Sequence, residues 1–244
     1  MGYSADVAFT AKDAIRVSQR GDVSIIVDVL RCCSTVVTAL ANGATGIIPA
    51  KTVTEAKSLK KKHPELVLAG ERKGLKPKGF DLGNSPTQFT SHAVGGKQLV
   101  LTTTSGTRAI SFCKNAQWML IGAILNAGAV AKAVSRIAEK EKRGIALVLS
   151  GTNGSFSLED FVCAGLILDN LSLNSVAYSD SARASLLTLK QSREHLCDII
   201  GSTQHAKYLK GIGLERDVEF CCQMDIYQIV PFFHNGVLVS LELE

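Results

Sequence analysis

The sequence predicts an α/β protein built from two similar α/β halves, with the active site in the cleft between them and a helical C-terminal segment. Three observations carry this. Short β-rich runs alternate with amphipathic stretches of helical period. An order of strand, hydroxyl-rich turn, helix and strand occurs twice along the chain. The 46% hydrophobic content of the 244 residues is enough for a full core.

Strands are predicted at Ser24–Leu30, Thr45–Pro49, Leu66–Gly70, Gln98–Thr102, Gln117–Ile121 and Ile145–Ser150, where aliphatic and β-branched residues cluster between breaks. Helices fit between them at Ser34–Ala41, Thr52–His63, Thr107–Lys114 and Asn126–Lys142. Thr52 followed by Glu55 forms a capping box that fixes the start of the second helix. The pattern stays helical over Leu158–Leu173 and Ser179–Met224, and a strand or hairpin closes the chain over Tyr227–Leu243. Three roles stay open for residues 179–224: a lid, the contact of a homodimer, or core. No low-complexity linker divides the chain, so the halves are drawn as residues 1–90 and 91–244.

The repeat is visible in the residues themselves. At an offset of 72, "DVLRCCST" (28–35) lies over "VLTTTSGT" (100–107), aligning Thr35 with Thr107, and "GIIPA" (46–50) lies over the segment that begins at Trp118. At an offset of 81, "LVLAGERKG" (66–74) lies over "LVLSGTNGS" (147–155). Duplication of one α/β unit and chance likeness between two such units both account for this.

Charge and cysteines narrow the function classes. The 27 basic and 22 acidic residues leave +5, too mild and scattered for a nucleic-acid surface but suited to a small anion. The densest basic run, "KSLKKK" (57–62), reads as the solvated face of a helix. The seven cysteines follow no signal-peptide pattern and include no C-x-x-C pair, which speaks against a disulfide framework or zinc site and for a reducing cytoplasm. No apolar run approaches the roughly 20 residues of a membrane span.

Loops at the carboxyl ends of parallel strands line the crevice where α/β proteins bind ligands. Here they carry Asp28 and Arg31, then Glu71, Arg72 and Asp81, then the turn Thr103, Thr104, Ser105, Gly106 and Thr107, and finally Glu159 and Asp160. Hydroxyls and unpaired N–H groups at a helix start bind an oxyanion; a single hydroxyl there serves equally as a helix cap. Asp28, at the end of an apolar run, calls for a metal or an arginine partner, with Arg31 the nearest. Asp160, three residues after Ser157, also fits a capping box. Carboxylates with no histidine near them in sequence suit Mg2+ or Mn2+ rather than zinc. Cation-holding carboxylates and anion-holding donors together are what phosphoryl transfer requires.

Five separated motifs, "DVLRCCSTVVTAL", "GERKGLKPKGFDLGNSP", "TTTSGTRAI", "SGTNGSFSLEDFVCAG" and "DVEFCCQMDIYQIVP", resemble in that order those of the 2-phosphosulfolactate phosphatase family. The likeness runs from about Asp28 to Pro231. It implies a Mg2+-dependent phosphatase that converts 2-phosphosulfolactate to sulfolactate, a step of coenzyme M biosynthesis. Two departures stand out: Ser105 where the family commonly has Asn, and Cys32 and Cys33 where it often has small or hydroxyl residues. The commoner phosphatase chemistries are absent from the sequence. Leu30 breaks a D-x-D signature at Asp28, no Cys precedes an Arg by six residues, and there is neither Arg-His-Gly nor a G-x-x-x-x-G-K-[ST] loop.

On this reading Asp28, Arg31, Glu71 and Asp160 are catalytic. Asp28, Glu71, Asp81 and Asp160, with Glu159 in reserve, hold Mg2+ (or Mn2+), and the Thr103–Thr107 turn cradles the phosphoryl group. Arg31 and Arg72 bind the substrate's other anionic groups, and Asn84, Ser85 and Asn126 line the cleft. The partner is a small anionic phosphate ester rather than a nucleic acid or membrane. The alternatives are a phosphatase for a different small 2-phospho carboxylate and a non-catalytic anion-binding protein of the same fold.

Overall fold

The computed structural model describes residues 2–10, 13, 20–113 and 116–242. Ten strands form one sheet: β1 (Tyr3–Ala8), β2 (Val23–Val27), β3 (Gly46–Pro49), β4 (Val67–Gly70), β5 (Gln98–Thr102), β6 (Met119–Gly122), β7 (Ile145–Leu149), β8 (Val176–Tyr178), β9 (Pro231–His234) and β10 (Val237–Ser240). Their spatial order is β4-β5-β3-β10-β9-β6-β2-β7-β1-β8. The helices are α1 (Cys32–Ala41), α2 (Val53–Lys62), α3 (Ser91–Val94), α4 (Gly106–Cys113), α5 (Ala127–Glu141), α6 (Leu158–Asp169), α7 (Asp180–Ser192), α8 (Leu196–Gly201), α9 (Gln204–Gly211) and α10 (Glu215–Cys221). Among the described residues no helix is long and apolar enough to cross a membrane.

The sheet consists of two parallel blocks, β4-β5-β3 and β6-β2-β7-β1-β8. The antiparallel hairpin β9–β10, turned at Asn235-Gly236 as such pairs favour, joins them. It meets each block through one bridged pair, Leu238 with Ile47 and Leu120 with Phe232. Because all three contacts are antiparallel, the blocks run in opposite senses. The order is symmetric about the hairpin, with β4 answering β7, β5 answering β2 and β3 answering β6. This is a symmetry of topology and does not by itself establish a duplication. The helices after β2 and β5 begin at Cys32 and Gly106, so the structural offset there is 106 − 32 = 74 rather than 72. Each helix also crosses between blocks. Residues 1–90 therefore supply β1 and β2 to one block and β3 and β4 to the other.

Burial explains the strands. "VSIIV" of β2 and "IALVL" of β7 are buried at every position, the continuous apolar runs that a sheet covered on both faces requires. One face packs on α5 and α6 through Val27, Leu147, Val130, Val134 and Ile167; the other packs on α1 and α4 through Ile26, Val148, Val36 and Ile110. All six predicted strands are present; β1 and, at the sheet edge, β8 are additional. At α2 the Thr52 hydroxyl accepts the Glu55 N–H at 3.0 Å, while the Glu55 carboxylate reaches the Lys51 N–H, one residue before the cap. Lys57, Lys61 and Lys62 are exposed, as a solvated face requires. Lys114 and Leu243, the predicted ends of one helix and of the closing strand, lie outside the described residues.

Candidate active site

The carboxyl ends of β2, β4, β5 and β7 open onto one cavity of about 490 Å³. Four helices begin at its wall: α1 at Cys32, α4 just after Ser105, α6 with Glu159 and Asp160 in its first turn, and α9 with Gln204 and His205 in its first turn. First-turn N–H groups have no intrahelical acceptor, and each helix dipole places about half a positive charge at this end. Four such ends around one cavity favour an anion. Matched type I′-like turns complete the rim. Lys73 and Gly74 after β4, and Asn153 and Gly154 after β7, adopt positive φ between bridged neighbours. The turns correspond at 152 − 72 = 80, one residue from the offset read in the sequence.

Four carboxylates face this cavity, and all are buried. Asp28 Oδ1 accepts the Cys32 N–H at 3.1 Å. Burial, reinforced by the charges of Glu71 and Glu159, pushes its carboxyl up to about 7. Asp160 accepts the Val29 N–H at 2.8 Å and the Gly151 N–H at 3.3 Å, tying together the loops after β2 and β7. Burial and the Asp28 and Glu159 charges raise it as well. Its N–H is capped by Ser157, yet its side chain does not return to the cap, so the capping box is only half formed. Glu71 accepts the Thr104 N–H at 2.7 Å and the Gly74 N–H at 2.8 Å. Glu159 makes no hydrogen bond or ion pair among the described residues. Glu159 and Asp28 Oδ2 are therefore the uncommitted carboxylate oxygens.

Asp81 departs from the predicted set. It is exposed, accepts the Leu68 N–H at 2.8 Å and lies 3.5 Å from Lys60, outside the cavity wall. Its glycine-flanked loop turns outward, away from the other carboxylates. Arg31 is in the cavity wall, but its ion-pair partner is Asp217 on α10, at 2.5 Å, and not Asp28. A second donor of Arg31 reaches the Gly74 carbonyl at 2.8 Å. Arg72 is turned away from the cavity: its guanidinium donates to the Glu71 carbonyl, the Thr102 hydroxyl and the Lys51 carbonyl, which makes it a brace for the β4–β5 ends.

The hydroxyl-rich turn divides into two sets. Thr103 and Thr107 cap α4 reciprocally: the Thr103 hydroxyl accepts the Thr107 N–H at 3.0 Å, and the Thr107 hydroxyl donates to the Thr103 carbonyl at 2.9 Å. Thr104 and Ser105 face the cavity, and Thr103 lines it as well. Gly106 is required by close approach: a Cβ there would lie 2.4 Å from Cys32 Cβ and 2.7 Å from Asp28 Oδ2. Asn84 lines the cavity, buried, with Oδ1 lacking any partner among the described residues. Ser85 stands behind it and donates to Asp217. Asn126 is a scaffold residue outside the cavity, accepting the Ala123 N–H and donating to the Ile121 and Ile229 carbonyls.

Helix α9 closes the cavity with Gln204, His205 and Tyr208. The Tyr208 hydroxyl donates to the Lys73 carbonyl at 3.0 Å, so part of the segment 179–224 forms a wall of the site. Burial pushes His205 down, against the pull of Glu159, Glu71 and the Leu30 backbone, with Arg31 acting with burial. Sequence reasoning missed His205 because it lies far along the chain from the carboxylates. Asp217 was legible in principle, inside "DVEFCC", as the acid a buried Arg31 must find. Among the described residues no three His, Cys, Asp or Glu side chains form a ready ligand cluster. The donors that are present, uncommitted carboxylate oxygens and an amide oxygen, suit a hard cation that keeps several of its waters.

Opposed blocks bring strand ends and helix starts to one anion-favouring, carboxylate-lined cavity, the kind of α/β site that suits a phosphoric monoester hydrolase. The comparisons with known proteins give the family. A family model described as 2-phosphosulpholactate phosphatase matches residues 9–236. A protein of Thermotoga petrophila named "Probable 2-phosphosulfolactate phosphatase" is 42% identical over 219 residues, covering 90% of this chain and 92% of the relative. Proteins of the same name from Clostridium perfringens (38% over 242 residues, 97% and 96% covered) and Pseudothermotoga lettingae (43% over 212 residues, 86% and 89%) agree. The chain belongs to the 2-phosphosulfolactate phosphatase family.

Proposed function

We propose that the chain removes phosphate from 2-phosphosulfolactate, or from a closely similar 2-phospho acid, with Mg2+ (Mn2+ serving in its place) held by Asp28 and Glu159. The observation that carries this reading is the charge imbalance of the cavity. Four buried carboxylates face it, while Arg31, its nearest buried cation, is already paired with Asp217. A hard divalent cation supplies the missing positive charge and, when bound, neutralises charge on the phosphoryl oxygens. Asp160 and Glu71, each accepting two backbone N–H groups, hold the loops in place. The N–H groups opening α4 bind phosphoryl oxygens, whereas that of Cys32 at the start of α1 is held by Asp28. The remaining donors of Arg31, with Asn84, take the second anionic group of the substrate. A role in coenzyme M assembly follows from that substrate, and free thiols at Cys32 and Cys33 beside the cavity suit a reducing cytoplasm.

A turnover panel tests the proposal: 2-phosphosulfolactate, phospholactate, phosphoglycerate and nitrophenyl phosphate, each with Mg2+ and with chelator. The expected result is Mg2+-dependent release of phosphate, fastest from the doubly anionic 2-phospho acids and restored when Mg2+ is added back. Full turnover after verified metal removal would exclude the cation's role, and preference for nitrophenyl phosphate would exclude the substrate class.

A further inference from the structure

The cavity holds one titratable ring that the chemistry above leaves unused. Of the five histidines in the sequence, His205 alone lines the cavity among the described residues. It stands in the first turn of α9, half-buried, its ring stacked on Tyr208 with centroids 6.1 Å apart and planes 12° apart. The Leu30 backbone lies beside the ring and favours its protonated form, while burial pushes the other way. A backbone acceptor beside one ring nitrogen leaves the other for the cavity. Tyr208 is itself pinned by its bond to the Lys73 carbonyl, which commits its own proton.

An alkyl phosphate ester poses a particular demand. The loose transition state of phosphoryl transfer asks little of the nucleophile and puts charge on the departing oxygen. An alkoxide is a poor leaving group, so the missing element is a proton donor. Glu71 and Asp160 each accept two backbone N–H groups, and Asp28 with Glu159 is assigned to the cation. Arg31 is already paired with Asp217, and of the cavity's N–H donors His205 is the imidazole, the side chain suited to passing a proton.

Resting on the phosphatase reading, we propose that His205 is a catalytic general acid that protonates the ester oxygen as it leaves. A bond forms from water oxygen to phosphorus, and the bond from phosphorus to the ester oxygen breaks. The imidazolium proton passes to that oxygen, giving the alcohol. The proton shed by the attacking water returns to the imidazole through the water of the cavity. Ester and water are consumed; alcohol and inorganic phosphate are formed.

The test compares leaving groups in the Mg2+-loaded enzyme. His205→Ala and His205→Gln are assayed on the preferred alkyl 2-phospho acid and on nitrophenyl phosphate, whose phenolate departs without a proton. The expected result is a fall in kcat of about 10²- to 10⁴-fold on the alkyl ester, with less than about 10-fold on the aryl ester. Equal falls on both esters, or a raised KM with kcat preserved, would overturn the assignment. His205→Gln keeps an N–H donor toward Leu30 and so serves where His205→Ala melts early. A wild-type enzyme inactive on every ester would overturn the phosphatase reading and this inference with it. Activity in the wild type with equal losses in the variants overturns this inference alone.

Discussion

Replacing Asp28 with Asn should make the metal-free protein more stable and the enzyme inactive. In the folded chain the Asp28 carboxyl takes up its proton at about 7, against 3.8 ordinarily, because burial disfavours the ionised form and the Glu71 and Glu159 charges add to this. Between those two values the folded state holds a proton that the unfolded state has lost. The contribution is thus present in full below 3.8 and disappears as the pH rises toward 7. The gap corresponds to roughly 4 kcal/mol of destabilisation once Asp28 is ionised. An amide of the same shape keeps the acceptor for the Cys32 N–H and carries no charge. Denaturant and thermal unfolding in chelator should show Asp28→Asn ahead of wild type by about 4 kcal/mol at pH 8, near 10 °C in Tm. At pH 4.5 the advantage should shrink to about 1 kcal/mol. Adding Mg2+ at pH 8 should raise the Tm of wild type far more than that of the variant. A variant less stable than wild type in chelator at pH 8 would refute the reasoning, by showing that neighbouring donors already support the Asp28 charge.

Three further outcomes follow from contacts in the site. Gly106→Val should abolish turnover and lower stability, because its Cβ would meet Cys32 and Asp28 below 3 Å; kinetics and melts of Gly106→Ala and Gly106→Val check this, and near-normal values for both would refute the close approach. Asp217→Asn should cost about 3–5 kcal/mol in urea unfolding, since it strands the buried Arg31 charge; a cost below about 1 kcal/mol would mean Arg31 finds another partner. Arg72→Met should lower stability by about 1–3 kcal/mol while leaving the KM for 2-phospho acids within about 2-fold, since its guanidinium braces carbonyls outside the cavity; a selective rise in that KM would return it to the substrate.

The fold was legible where local pattern and burial agree. Apolar runs such as "VSIIV" and "IALVL" can be nothing but buried strands, and each was placed within about three residues. The edge strand β8 has three residues, too few for a period to show, and its parallel pairing with β1 depends on a crossover through α6 that skips a strand, which no local signal encodes. The site was legible as a set of loops, because Asp28, Glu71, Ser105 and Glu159 all follow strands. Asp81 misled because a glycine-flanked acid after a strand reads alike whether its loop turns inward or outward. Arg72 misled in the same way, since a guanidinium one residue past Glu71 points to the opposite side of the turn. His205 and Asp217 enter from α9 and α10, and only tertiary packing brings them to Leu30 and Arg31.

The run of hydroxyls in "TTTSGT" shows how such a site divides its labour. Thr102 receives Arg72, Thr103 and Thr107 cap α4, and the Thr104 N–H is held by Glu71. Most of these groups are thus committed within the protein, and what they fix is the direction of the helix start that follows. An anion bound by backbone N–H groups needs that direction held to within a few tenths of an ångström, because dipoles lose their advantage when they must reorganise around the charge. Gly106 then lets the start of α4 approach Cys32 at the start of α1 and the Asp28 carboxylate closely. The hydroxyl-rich sequence is in this sense the framework of the cradle more than its lining. The side chains that line the cavity and can meet a ligand directly include Thr104, Ser105, Asn84, Arg31, Glu159 and His205. On the proposed reading, specificity among phosphate esters rests on side chains such as these, drawn from five separate segments of the chain, and affinity for the phosphoryl group on the backbone they surround.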